Sequence, residues 1–94
     1  MALPTTRFDI QDHLKTDADQ VAYLEAALAE DDTAFIAVAL GDIARARGVT
    51  KFAQEAGISR ETIYKRFRPG GNPTLDTLNA ATRVLGLKLA LVPA

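Results

Sequence analysis

Between Thr50 and Phe67 the chain reads TKFAQEAGISRETIYKRF, and its polar side chains suit recognition of a nucleic acid better than the breaking of bonds. Arg60 and Lys65 can donate to guanine, Glu61 can accept from the amino group of cytosine, and Thr62 can do either. Catalysis has no comparable set. Cysteine is absent, the single histidine is His13 near the N-terminus, and no serine or acid completes a nucleophilic constellation with it. Paired acids such as Asp31-Asp32 suit helix capping. A cysteine-ligated metal is excluded, and one histidine leaves a zinc site to carboxylates. No catalytic residue, metal ligand or cofactor is therefore expected.

The elements needed to present those side chains are legible around them. Ala53 precedes Gly57 by four residues, which places a small residue where two crossing helices come close. Gly57 allows the positive φ of a sharp helix exit. Ile58 is an apolar plug, and Ser59 supplies an oxygen to cap the next helix. Ile63 and Phe67, four apart, face a core. Arg60, Glu61, Thr62, Lys65 and Arg66 then point away from it. Two helices about a tight turn, the second with a polar outer face, form a helix-turn-helix whose second helix enters the major groove.

Charge is concentrated on the same stretch. From Arg45 to Arg68 there are seven basic residues (Arg45, Arg47, Lys51, Arg60, Lys65, Arg66 and Arg68) against Glu55 and Glu61, a net of +5. The rest of the chain has 4 basic and 10 acidic residues, a net of −6, so the whole carries −1. A nearly neutral chain with one basic segment suits a local electrostatic footprint.

Ninety-four residues, 48% hydrophobic and 24% charged, suit one globular domain over 1–94 with a single core. The N-terminus lacks the apolar run of a signal peptide, and the longest apolar stretch, Ala34 to Leu40, cannot span a bilayer. A cytoplasmic location is expected.

Around the central motif the pattern predicts further elements. Residues 1–15 form an N-terminal arm with a short strand over Arg7–Ile10 and a turn of helix over Asp12–Lys15. Thr16 with Asp19 resembles a capping box for a helix over Asp17–Glu30, with Val21, Leu24 and Leu28 as its apolar stripe. Its acidic outer face is a solvated surface or a docking surface for a basic partner. Asp32 caps a helix from Thr33 to about Arg47, whose stripe includes Phe35, Ile36, Ala39, Leu40, Ile43 and Ala46. Gly41 inside it points to a close crossing. Arg45 and Arg47 suit the helix C-terminus and can also reach phosphate, and Gly48 is the stop. Thr50 is read as the cap of the next helix. The helix-turn-helix occupies 50–67, and residues 68–73, with two prolines and two glycines, form a loop. Asn72 or Thr74 caps a last helix bearing Leu75, Leu78, Thr82 and Leu85. A strand over 87–92 ends the pattern. Terminal strands can pair with each other or across a two-fold axis, and the second arrangement favours a homodimer.

The segments YLEAALAEDD, FIAVALGDIARARG, GISRETIYKRF and GGNPTLDTLNAATRVLGLKL together resemble the probable addiction module antidote proteins, HigA-like antitoxins of the Cro/C1-type helix-turn-helix superfamily. The resemblance runs from about Phe8 to the C-terminus and is most specific from Leu40 to Leu87. It implies a mainly α, five-helix Cro/C1-like (lambda repressor-like) domain, with short terminal β-strands as read above. It also implies a repressor of its own operon that binds double-stranded operator DNA and neutralises a small basic toxin of the RelE-like class. By resemblance Ser59, Arg60, Glu61, Thr62 and Lys65 read DNA, and Lys51, Arg66 and Arg68 contact phosphate. The first motif helix departs from the Cro/C1 pattern, being short and lacking its early glutamine, with Gln54 elsewhere. GISRETIYKRF also resembles the TetR-type DNA-binding segment, but this chain has no room for that family's large ligand domain. The competing functional readings are a stand-alone Cro/C1-type regulator and a toxin-binding protein with weak DNA affinity.

Overall fold

The computed structural model describes residues 10–94. Among them lie a short 3₁₀ turn, Ile10–His13, and five α-helices: α1 Asp17–Ala29, α2 Thr33–Arg47, α3 Val49–Ala56, α4 Arg60–Arg66 and α5 Leu75–Val84. Four of the five begin on a side-chain cap. Thr16 accepts from the Asp19 amide at 3.1 Å and Asp32 from that of Ala34 at 3.0 Å. Ser59 accepts from the Thr62 amide at 3.0 Å and Thr74 from that of Thr77 at 3.2 Å. Each oxygen satisfies an N–H that the helix cannot. The exception is α3, where Thr50 is not the cap. Gly48 alone separates α2 from α3 and serves both, so the helix starts at Val49 without a side-chain cap.

Helix α2 is the centre of the domain. Ala37 and Ala39 through Ala44 are all buried, most of its circumference. The 3₁₀ turn, α1, α3 and α4 pack on it, and α5 packs on α3. The core joins Leu14, Leu24, Leu40, Ile43, Phe52, Ile63, Phe67 and Ala80. Phe52 and Phe67 meet edge to face, with centroids 6.2 Å apart. Gly41 marks the close crossing: a Cβ there would overlap the backbone carbonyl of Phe67.

The inner face of α1 differs from the predicted stripe. Gln20, Leu24 and Ala27 are buried, whereas Leu28 is 36% exposed and Val21 only partly covered. Gln20 is held inside because its amide donates to the Leu14 carbonyl at 2.9 Å and its carbonyl oxygen accepts from Arg47 at 2.8 Å. A buried amide with both ends engaged is tolerated where a free one is not.

Tyr23, also on α1, donates to the Asp42 carboxylate at 2.7 Å, and Arg45 donates to the other Asp42 oxygen at 2.6 Å. Burial, and then the bond and charge of Asp42, raise the Tyr23 pKa from 10.0 to about 12. A raised folded-state pKa means that folding favours the neutral phenol. That contribution is complete below pH 10.0 and is lost as the pH rises through about 12. Urea midpoints should therefore fall across this interval, and less steeply in Tyr23→Phe. Parallel pH profiles for the two proteins would contradict the assignment.

The C-terminal end and the inner end of the N-terminal arm depart from the sequence pattern. The strand predicted over Arg7–Ile10 falls outside the described residues except for Ile10, which opens the 3₁₀ turn. Leu14 is 2% exposed, so the inner end of the predicted arm belongs to the core. The predicted strand over 87–92 is not formed. Residues 87–94 run without regular structure, because no other strand among the described residues lies beside them to complete a ladder.

Candidate nucleic-acid interface

The turn between α3 and α4 forms as its residues require. Gly57 adopts φ 71°, and the amides of Gly57 and Ile58 both donate to the Ala53 carbonyl, at 2.9 and 3.1 Å. The left-handed glycine closes α3 in a single residue. Ser59 is extended and starts α4. Ile63 and Phe67, 3% and 2% exposed, seat that helix on the core. Lys51, Ser59, Arg60, Glu61, Lys65 and Arg68 are exposed, while Thr62 and Arg66 are partly covered.

The side chains on this surface are wired to one another. The hydroxyls of Ser59 and Thr62 lie 2.8 Å apart, so the cap also orients Thr62. Arg66 donates to the Asn72 carbonyl at 2.9 Å and holds the loop after α4. The Arg68 Nε donates to the Lys65 carbonyl at 3.1 Å, satisfying a carbonyl at the helix end and leaving the rest of the guanidinium outward. Glu61, Thr62, Lys65 and Arg66 line a concavity of about 330 Å³. Acceptor, hydroxyl and cations there match the functional groups of a groove edge and its phosphates.

Tyr64, which the pattern of charged residues does not single out, belongs to this surface. It is 54% exposed, lies 5.9 Å from the Arg60 guanidinium carbon, and its hydroxyl accepts from Arg60 at 3.4 Å. An aromatic ring can hold an arginine in position through its π face. The signal was the i, i+4 spacing of Arg60 and Tyr64 away from the Ile63–Phe67 side.

Two arginines of the basic segment are turned to other work. Arg45 is paired with Asp42. Arg47, its side chain 14% exposed, donates to Asp17 at 2.7 Å and to Gln20 at 2.8 Å and approaches Glu55 at 3.5 Å. Contrary to the expectation from sequence, Arg47 is not placed to reach phosphate, since its terminal nitrogens face α1 and α3 and its Nε is buried without a partner.

A family profile described as probable addiction module antidote protein matches residues 4–93. An uncharacterized protein of Haemophilus influenzae is 43% identical over 81 residues, which cover 86% of this chain and 84% of that protein. No solved structure matches the chain.

Proposed function

The chain belongs to the family of probable addiction module antidote proteins, and from that premise we propose that it is a HigA-like antitoxin that represses its own operon through a Cro/C1-type helix-turn-helix. The observation that carries the DNA-binding part is α4 itself. It is a helix capped by Ser59, seated by Ile63 and Phe67, with Arg60, Glu61 and Lys65 exposed on its outer side. In this reading Lys51, Arg66 and Arg68 neutralise phosphates and set the register, and Ser59 through Lys65 read bases. It acts in the cytoplasm as a homodimer and by binding rather than catalysis. Among the described residues no helix is long and apolar enough to cross a membrane.

Membership in an antidote family implies a toxin partner. We assign that partner to the small, basic, RelE-like class. The exposed acids Glu30, Asp31 and Asp32 between α1 and α2 support this by charge complementarity.

The test is equilibrium binding to DNA from immediately upstream of the gene against a scrambled duplex, over a range of salt. The expected preference for upstream DNA is about 10³-fold or more, with affinity falling steeply as salt rises. Arg60→Ala should cost about 1–3 kcal/mol on the upstream site and relax base preference, whereas Arg68→Ala should weaken all sequences alike. Equal losses on both duplexes for Arg60→Ala would remove it from base reading. Equal, weak binding of both duplexes by the unaltered chain would leave toxin binding as the activity.

A further inference from the structure

Arg60 and Tyr64 form a pair along one edge of α4, beside the concavity, because residues four apart in a helix stand on the same side. The contact has two parts. The Arg60 guanidinium carbon lies 5.9 Å from the ring centroid, and its Nη2 donates a long bond of 3.4 Å to the Tyr64 hydroxyl. Helical side chains lean toward the N-terminus, so the ring lies back over the turn that carries Arg60. Among the described residues Arg60 forms no ion pair, and the Tyr64 hydroxyl meets Arg60 alone.

The neighbouring arginines are held differently. Arg66 and Arg68 donate to the carbonyls of Asn72 and Lys65 and so are anchored to the backbone. Arg60 is steadied by a ring, which leaves most of its five N–H donors open. Tyr64 is in turn the one large apolar side chain of α3 and α4 left exposed, while Phe52 and Ile63 are buried. An open ring gains most by being covered with apolar surface.

The major groove offers such surface at the 5-methyl group of thymine, and it offers an arginine fork the O6 and N7 of guanine. Tyr64 stands about 6 Å beyond Arg60 along the helix axis, less its backward lean, and base pairs follow one another at about 3.4 Å. The two side chains therefore fall on neighbouring base pairs.

We propose that Arg60 and Tyr64 act as one unit that reads a guanine beside a thymine. Tyr64 is the positioning residue that holds Arg60 on the guanine, and its ring covers the methyl group of the thymine on the adjacent base pair. The inference rests on the DNA-reading role of α4 proposed above and names the base step which that role selects.

The experiment is equilibrium binding to the upstream duplex with its thymines replaced one at a time by deoxyuridine, which removes the methyl group and keeps the pairing. For the unaltered chain, one replacement next to the guanine that Arg60 reads should weaken binding about four-fold, the effect of one buried methyl. Tyr64→Ala should weaken binding to the thymine duplex about ten-fold or more and make that replacement silent. Tyr64→Phe should stay within about two-fold and keep the effect of the replacement, because the ring remains and the hydroxyl contact is long. In an Arg60→Ala background Tyr64→Ala should cost less, with no arginine left to hold. Circular dichroism confirms that each variant is folded, and a change made in the DNA cannot unfold the protein. Tolerance of uracil at every thymine would overturn the inference. So would a Tyr64→Phe protein as impaired as Tyr64→Ala, which would make the hydroxyl and not the ring the working group. A clear preference for upstream DNA that Tyr64→Ala leaves unchanged defeats the inference and spares the repressor. No preference in the unaltered chain defeats the repressor reading and this inference with it.

Discussion

Gly41→Val should destabilise the domain by about 3 kcal/mol or more, and Gly41→Ala by about 2 kcal/mol, as over-packing against an immovable neighbour does. The neighbour here is the backbone carbonyl of Phe67, which a Cβ on Gly41 would overlap. No rotamer change relieves that contact, so either α2 or the end of α4 must shift. Alanine regains up to about 1 kcal/mol of helix propensity and valine less, which is why the two should differ. For a domain of this size each kcal/mol moves Tm by roughly 4–8 °C, so the alanine variant should melt about 8–16 °C lower. Because Phe67 closes α4, a folded Gly41→Ala protein should also lose affinity for all duplexes together, since the whole helix is displaced. Unchanged thermal unfolding in both variants would show that α2 and α4 do not cross where the structure has them.

Arg47→Ala should cost about 2–3 kcal/mol, through loss of a buried aliphatic stem and, more heavily, through an unpaired buried acceptor. The acceptor is the Gln20 carbonyl oxygen, which Arg47 engages at 2.8 Å inside a residue only 3% exposed. The pairs with Asp17, whose side chain is 75% exposed, and with Glu55 at 3.5 Å contribute much less. The loss should therefore persist at high salt, which screens exposed pairs but not a buried bond. Combining Arg47→Met with Gln20→Leu should recover only part of it, because the apolar pair removes the unpaired Gln20 oxygen but leaves the Leu14 carbonyl without its donor. Chemical denaturation at two salt concentrations distinguishes the cases. If Arg47→Ala left stability intact and reduced DNA affinity instead, the arginine would be a phosphate contact after all.

The different fates of the seven basic residues separate what the chain encodes locally from what it does not. Ser59, Gly57 and the Ile63–Phe67 spacing specify the turn, the start of α4 and its inner side, and the exposed positions of Arg60, Glu61 and Lys65 follow from helical geometry alone. Caps at Thr16 and Asp32 are legible for the same reason, since a cap acts within three residues of itself, and of the two candidates for α5, Asn72 and Thr74, the structure selects Thr74. Arg47 looked no different from Arg66 or Arg68 in sequence. What makes it interior is Gln20, 27 residues away, and Gln20 is interior because the Leu14 carbonyl receives its amide.

Sequence by itself therefore determined a mainly helical domain, the side-chain caps of α1, α2 and α4, and the antidote family that its segments resemble. Tertiary structure decided that Gln20 rather than Val21 or Leu28 lies under α1, that Gly41 sits against the Phe67 carbonyl, and that Thr50 loses its capping place to Gly48. It also decided that residues 87–92 stand open instead of forming a strand. The physical reason is range. Capping, propensity and periodicity act within a turn or two of helix, so they can be read from neighbours. Burial of a polar group, a backbone crossing or a strand pairing depends on a partner that the fold must bring alongside.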